Sequence, residues 1–238
     1  MASSWPKQRL RWPMTSNPVA FLDADVLAAP MTRTLIIVSR VHRDALFLPR
    51  WSLTVEAEAD RHIRGEQRPL SRVRAELDWD SMIVPDAAEN DCAEMTGTSP
   101  KDRHVLASAT SAQARLIVSR NVSDFGLTDL AKVGLDVVHP DLFLAMTMSD
   151  AMYLDALDAM STARSRQPNT PTALHSAFGV GHPRLFNRMS HLFPDVDAPT
   201  PYEKPPTHVF RGNTCFLCGQ HLDDELTDGL CGGCPSHP

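Results

Sequence analysis

Carboxylates are the residues of this chain whose types and spacing invite chemistry. Asp23, Glu58, Asp102 and Asp124 are scattered over roughly the first half of a 238-residue sequence, yet each falls where a parallel α/β sheet would gather it. Asp23 ends the apolar run Val19-Ala20-Phe21-Leu22, and Asp124 follows Leu116-Ile117-Val118 after the polar loop Ser119-Arg120-Asn121-Val122-Ser123. In open α/β sheets ligands bind in the crevice beyond the carboxyl ends of the strands. Carboxylates brought together there are oxygen donors suited to hard cations such as Mg²⁺ or Mn²⁺, which assist the attack of water on phosphodiesters.

Each acid also has a local explanation. Asp23 can begin a turn, with Asp25 serving equally. Glu58 can be a solvated helix residue paired with His62 one turn on, or one of several acids with Glu56 and Asp60. Ser99-Pro100-Lys101-Asp102 reads as the Asp variant of a capping box, with Ser99 as N-cap and Asp102 in the first turn, where an acid complements the helix dipole. Asp124, or Asn121, can cap the turn before Phe125.

The elements that must position these acids alternate. A strand ends at Asp23, and Thr34 to Val41 has the apolar density of a helix. Phe47-Leu48-Pro49 reads as a second strand, and Trp51-Ser52-Leu53 enters a helix that carries Glu58 in its middle, capped by Ser52 or Thr54. Residues 69 to 82 extend the helical layer, and Pro85 to Gly97 is an acidic loop bounded by proline and glycine. A helix over Val105, Leu106 and Ala109 leads to Leu116-Ile117-Val118. A last strand, Leu135 to Val138, precedes a helical pattern from Leu142 to Met160. This β-α-β-α alternation predicts an α/β protein with a central, mainly parallel sheet between helical layers.

With 42% hydrophobic residues the chain can bury a core. Nothing in it approaches the ~20 apolar residues of a membrane span, and residues 1–17 hold Lys7, Arg9, Arg11 and two tryptophans but no secretory segment. A cytoplasmic address and no membrane partner are expected. The net charge of −6 argues against coating nucleic acid by bulk electrostatics. Only residues 1–80 are net positive, with 12 Lys and Arg against 10 Asp and Glu, and nine arginines between Arg33 and Arg74 are candidates for a phosphate track or a solvated helix face. The ten histidines form no ligand-like motif, and no Ser-His-Asp or Cys-His arrangement is apparent.

Four of the five cysteines lie near the end of the chain as Cys215-x2-Cys218 and Cys231-x2-Cys234. Two such pairs match the four-thiolate spacing of structural Zn²⁺ ribbons and knuckles, and Gly219, Gly232 and Gly233 give the tight turns that bring backbone amides to the sulfurs. Cys92 stands alone. The expected organisation is a flexible basic arm over 1–17, a catalytic α/β domain over 18–145, a helical extension over 146–193, a Pro-rich linker over 194–210 and a zinc-binding tail over 211–238.

Whole segments around the acids carry a resemblance. Phe21-Leu22-Asp23-Ala24-Asp25-Val26-Leu27, Trp51-Ser52 through Glu58, Pro100-Lys101-Asp102-Arg103-His104-Val105-Leu106-Ala107-Ser108-Ala109, and Ile117 through Phe125 resemble, in order, the four signature blocks of PIN-domain nucleases, which include VapC-type toxins. The resemblance spans about residues 18 to 145, and the stretch to about 193 is similar to the helical extension of one PIN subgroup. It implies a PIN-like α/β/α sandwich and a Mg²⁺- or Mn²⁺-dependent endoribonuclease with Asp23, Glu58, Asp102 and Asp124 as metal ligands. Asn121 occupies a position where many members have the fourth Asp, so Asp124 and Asn121 both stand as candidates to complete the site. Asp25 stands where Asn is usual, and Ser119 matches a hydroxyl often found beside the site. The partners to expect are RNA, an antitoxin protein and a second copy of the chain in a homodimer. Two further readings stay open: a catalytically weak PIN scaffold that binds RNA or protein through its zinc tail, and a ribosomal-RNA processing nuclease.

Overall fold

The run Val19–Leu22 forms β1, whose Ala20, Phe21 and Leu22 are wholly buried, as a strand covered on both faces requires. A computed structural model describes residues 17–40, 42, 45–63, 67–88, 91, 93–199, 210–212 and 214–215. In these residues β1 is followed by α1 (Ala24–Leu27), α2 (Pro30–Ser39), β2 (Leu48–Ser52), α3 (Leu53–His62), α4 (Leu70–Glu76) and β3 (Ile83–Val84). The chain continues through α5 (Arg103–Ser111), β4 (Ala114–Val118), α6 (Leu127–Val133), β5 (Asp136–Val138), α7 (Pro140–Thr147), α8 (Asp150–Ala163), α9 (Pro171–Gly181), α10 (Pro183–Met189) and β6 (Phe210–Arg211). The strand order is β3-β2-β1-β4-β5-β6. The first five are parallel, with Phe21 opposite Arg50 and Ile117, and β6 alone is antiparallel, with Phe210 opposite Val138.

The expected α/β class with a mainly parallel sheet is therefore present. Phe21, Trp51, Leu106, Ile117, Phe125 and Val137 belong to one core that also takes in Tyr153, Leu174 and Phe178. The helices after residue 146 thus share the core of the sheet: α8 packs on α2, and α10 on α7. Among the described residues no helix is long and apolar enough to cross a membrane.

Several elements differ from the sequence expectation. Helix α2 begins at Pro30, not Thr34, because proline at the first helical position is pre-set in φ. The pattern from Leu142 to Met160 is two helices, broken at Met148–Ser149, where the Ser149 hydroxyl accepts from the Met152 amide at 3.3 Å. Ile83–Val84 adds a strand between the expected helical layer and loop. Helix α9, capped by Thr170, lies within the expected helical extension, and helix α6, closed by Gly134 at φ 68°, adds a helix between β4 and β5. The boundary drawn at 210/211 falls inside β6, so the end of the linker completes the sheet.

Candidate active site

Between β1 and β4 the connections diverge, one strand leading outward to β2 and β3 and the other to β5. Such a switch point opens a crevice at the carboxyl ends of the strands. Asp23 is the first residue beyond β1 and Ser119 the first beyond β4. The Asp23 amide donates to the Val118 carbonyl at 3.0 Å, which seats the acid at the fork. Its buried carboxylate accepts from the Ala24 amide at 2.6 Å and the Ser119 hydroxyl at 2.7 Å. The Ser119 oxygen in turn accepts from the Asn121 amide at 3.1 Å.

Asp102 is reached by a different path from the capping box. Helix α5 starts at Arg103, so Asp102 itself occupies the N-cap position, and Ser99 lies a turn earlier with its carbonyl accepting from the Asp102 amide at 2.8 Å. The Asp102 side chain makes no capping bond, and its buried Oδ2 has no hydrogen-bond partner among the described residues. A turn that leaves its acid unused for capping leaves it directed at other business. Lys101 bridges the acids on this side, with Nζ 2.8 Å from Asp124 Oδ2 and 3.8 Å from Asp102 Oδ2. Asp124 lies in the 3₁₀ turn Val122–Asp124, tied down by the Ser99 amide on its carbonyl at 2.8 Å. The Asn121 side chain is exposed.

Glu58 projects from α3 toward His104 of α5, with Oε2 3.4 Å from Nε2. The surface pairing with His62 is replaced by this contact across the crevice. Glu56, two residues earlier, turns inward: it is buried, accepts from the Trp51 indole at 3.0 Å and pairs with Arg74 at 2.9 Å. The helix thus separates a structural acid from one at the site. No local pattern singles out Lys101 or His104. Asp25, an alternative to Asp23 as turn former and an Asp where the resemblance has Asn, joins the cluster, with Oδ2 accepting from the Arg120 amide at 3.0 Å and a buried Oδ1 without a hydrogen-bond partner among the described residues.

The electrostatics show what these acids do to one another. Burial pushes the Asp23 carboxyl up, against the hydrogen bonds from Ser119 and Ala24, and the charge of Glu58 adds to the rise. Burial and the neighbouring Asp23 push Asp25 up to about 8. Burial, then Asp23, raises Asp102 to about 6, although Lys101 works in the opposite direction. The hydrogen bond to Asp124 and the charge of Asp102 hold the Lys101 ammonium above its usual range. The crevice therefore holds more negative charge than its own cation compensates.

The donor set fits a hard divalent cation: oxygen atoms only, two of them buried without partners, around a deficit of positive charge. Among the described residues no group of three or more His, Cys, Asp or Glu side chains is already arranged to hold a metal ion. Of the four expected zinc ligands, Cys218, Cys231 and Cys234 lie outside the described residues, as does Cys92. Cys215 is buried, and its carbonyl accepts from Arg115, near the start of β4, at 3.2 Å. It thus sits at the end of the sheet opposite the carboxylates.

Four arginines of the arginine-rich stretch are committed to partners within the protein. Arg33 is buried with its guanidinium on the Leu27 carbonyl at 2.8 Å, Arg68 and Arg72 hold Glu76, and Arg74 holds Glu56 and Asp80. Arg43 and Arg64 lie outside the described residues.

The chain is similar to a Mycobacterium tuberculosis protein named "Putative ribonuclease VapC50", with 33% identity over 109 residues. The match takes in 44% of this chain and 63% of that protein, so somewhat less than two thirds of the relative is spanned. No family model matches the chain, and no solved structure matches it at a significant level. A six-stranded, mostly parallel sheet flanked by helices is consistent with a PIN-like fold.

Proposed function

We propose that this protein is a metal-dependent endoribonuclease that hydrolyses RNA phosphodiesters, and that it serves as the toxin of a toxin–antitoxin pair in the cytoplasm. The observation that carries the reading is the crowding of Asp23, Asp25, Asp102 and Asp124 at the β1–β4 fork, with two carboxyls pushed well above their ordinary range. Acids gathered at such a cost need a cation. In this reading Asp23, Glu58, Asp102 and Asp124 hold Mg²⁺ or Mn²⁺, and Asp124 takes the fourth position in preference to Asn121 because Lys101 joins it to Asp102. The chemistry that such an ion supplies when bound is activation of a water molecule and neutralisation of charge on the leaving oxygen.

The chain's own groups prepare the crevice. Ser119 and the Ala24 amide orient Asp23 and favour its charged form. Asp25, pushed up by burial and by Asp23, stands beside these ligands with its Oδ1 buried and without a partner among the described residues. Glu58 lies beside His104 at the cleft, with 3.4 Å between Oε2 and Nε2. The similarity to the mycobacterial ribonuclease supports RNA as substrate and an antitoxin as the class of partner. Cys215, Cys218, Cys231 and Cys234 bind a structural Zn²⁺ in the same proposal.

Cleavage of single-stranded RNA with Mn²⁺ tests the site. Wild type should cut, while Asp23→Asn and Asp102→Asn should lose at least a hundredfold in rate. Unchanged cleavage in both variants would overturn the assignment. Asp102→Asn is the cleaner probe because its side chain makes no capping bond whose loss could unfold α5.

A further inference from the structure

Beside the acidic crevice, at the carboxyl ends of β4 and β5, lie two exposed arginines that make no ion pair among the described residues: Arg120, directly after Ser119, and Arg184, in the first turn of α10. Every other feature of this corner fastens them in place. The Arg120 amide is bound by Asp25, and its guanidinium lies 3.5 Å from the Thr32 hydroxyl, which bonds His182 at 2.9 Å. His182 immediately precedes α10. The buried Asp141 carboxylate accepts from the Arg184 and Leu185 amides, both at 3.1 Å, and so pins the same turn. His139, between these two anchors, has its pKa lowered to about 4 by burial and then by the charges of Arg120 and Arg184 together. Both guanidinium groups therefore act on one spot.

Several other cations of the described residues are committed to acids. Lys101 is consumed by Asp124 and Asp102, and Arg68, Arg72 and Arg74 by Glu76, Glu56 and Asp80. The two guanidinium groups are exposed at the rim of an acid-lined crevice, one acting on Asp25 and the other on Asp141, and neither is held in an ion pair among the described residues that would keep it from an incoming anion. Their planar fork matches phosphate oxygens. Phosphates cannot approach the carboxylates unaided, and a neighbouring cationic step would hold the strand in register.

We propose that Arg120 and Arg184 form a phosphate-binding step that grips the backbone of a single-stranded RNA next to the bond to be cut, so that the helical pair α9–α10 is part of the substrate site. This inference rests on the ribonuclease reading. It gives the segment after residue 146 a role besides packing, since one of the two arginines comes from it.

The test is binding of a fluorescein-labelled RNA of about 12 nucleotides to the full chain carrying Asp102→Asn, over a range of salt concentrations. Arg120→Gln and Arg184→Gln should each weaken binding roughly tenfold and flatten the log–log salt slope by about 0.7, the value for one phosphate contact on a single strand. Arg184→Lys should restore most of the slope. Arg72→Gln, whose partner is Glu76, serves as the charge control and should leave the slope unchanged. Circular dichroism melting should show all variants folded, because both arginines are exposed. RNA bound with the same affinity and slope by both Gln variants would overturn the phosphate step while leaving the ribonuclease reading standing. Absence of RNA binding, together with absence of Mn²⁺-dependent cleavage by wild type, would overturn both.

Discussion

His182 couples the last helices to the rest of the molecule, and its burial makes that coupling sensitive to acid. Its Nε2 bonds the Thr32 hydroxyl at 2.9 Å, its Nδ1 is buried without a partner, and Phe178, Arg120 and His139 surround it. Burial, then the charges of Arg120 and His139, lowers its pKa from 6.5 to about 3. A histidine depressed in the folded state binds fewer protons there than in the unfolded chain. Its contribution is therefore fully present above about pH 6.5 and is lost as pH falls toward the folded value near 3. At pH 5 the unfolded histidine is almost fully protonated and the folded one almost neutral, so the loss relative to pH 7 is about 2 kcal/mol. Asp25, raised to about 8, acts in the opposite direction, since the folded state holds its proton more tightly and gains stability as pH falls below 8. Comparison of two proteins removes that offset. Urea unfolding of wild type and His182→Gln at pH 7 and pH 5 should show the variant losing about 2 kcal/mol less than wild type over the interval. Equal losses would refute a neutral, buried His182.

Three further perturbations probe the site and its frame. Ser119→Ala removes a 2.7 Å hydrogen bond to a buried carboxylate and should cost about 1.5–3 kcal/mol, read by urea unfolding at pH 8; a cost below about 0.5 kcal/mol would show that Ser119 does not hold Asp23. Lys101→Met removes the cation that bridges Asp124 and Asp102; Mn²⁺ affinity by calorimetry should rise by roughly threefold or more, and weaker binding would show that Lys101 supports the site instead of competing for it. Gly212 has φ 152°, and a Cβ there would lie 2.0 Å from Asp136 Oδ1, so Gly212→Ala should lift β6 from β5 and speed amide exchange at 137–138; unchanged exchange would refute that close packing.

The strands at the fork were legible because Val19–Leu22 and Leu116–Val118 are apolar runs long enough to stand out against polar flanks. Ile83–Val84 and Phe210–Arg211 were not, since two residues carry no periodicity and their pairing is decided by the neighbouring strand. Thr170-Pro171 was a readable start for α9 that the surrounding prolines obscured. The Asp102 region misleads for a physical reason: Ser-x-x-Asp fits a capping box with the helix starting at Pro100, but the helix begins three residues later, at Arg103, and the Asp102 side chain makes no capping bond. Face selection was equally hidden. Glu56 and Glu58 have the same local context, and only the positions of Trp51, Arg74 and His104 separate them. Arg72 meets Glu76 one helical turn on, as spacing suggests, whereas Arg74 finds Glu56 eighteen residues back, a pairing that spacing does not reveal.

The brevity of β3 and β6 has a consequence for how this protein behaves at high concentration. An open sheet offers unpaired amides and carbonyls along both margins, and a long margin recruits other chains. Here one margin is only Ile83–Val84, and the other is sealed by Phe210–Arg211 running against β5, with Thr214 and Arg115 joined at the Asp136 carboxylate. Cutting the chain before residue 210 would strip that seal and leave β5 bare. A shortened version prepared to remove the cysteine-rich end would thus be expected to self-associate through β5, so its aggregation would say nothing about zinc.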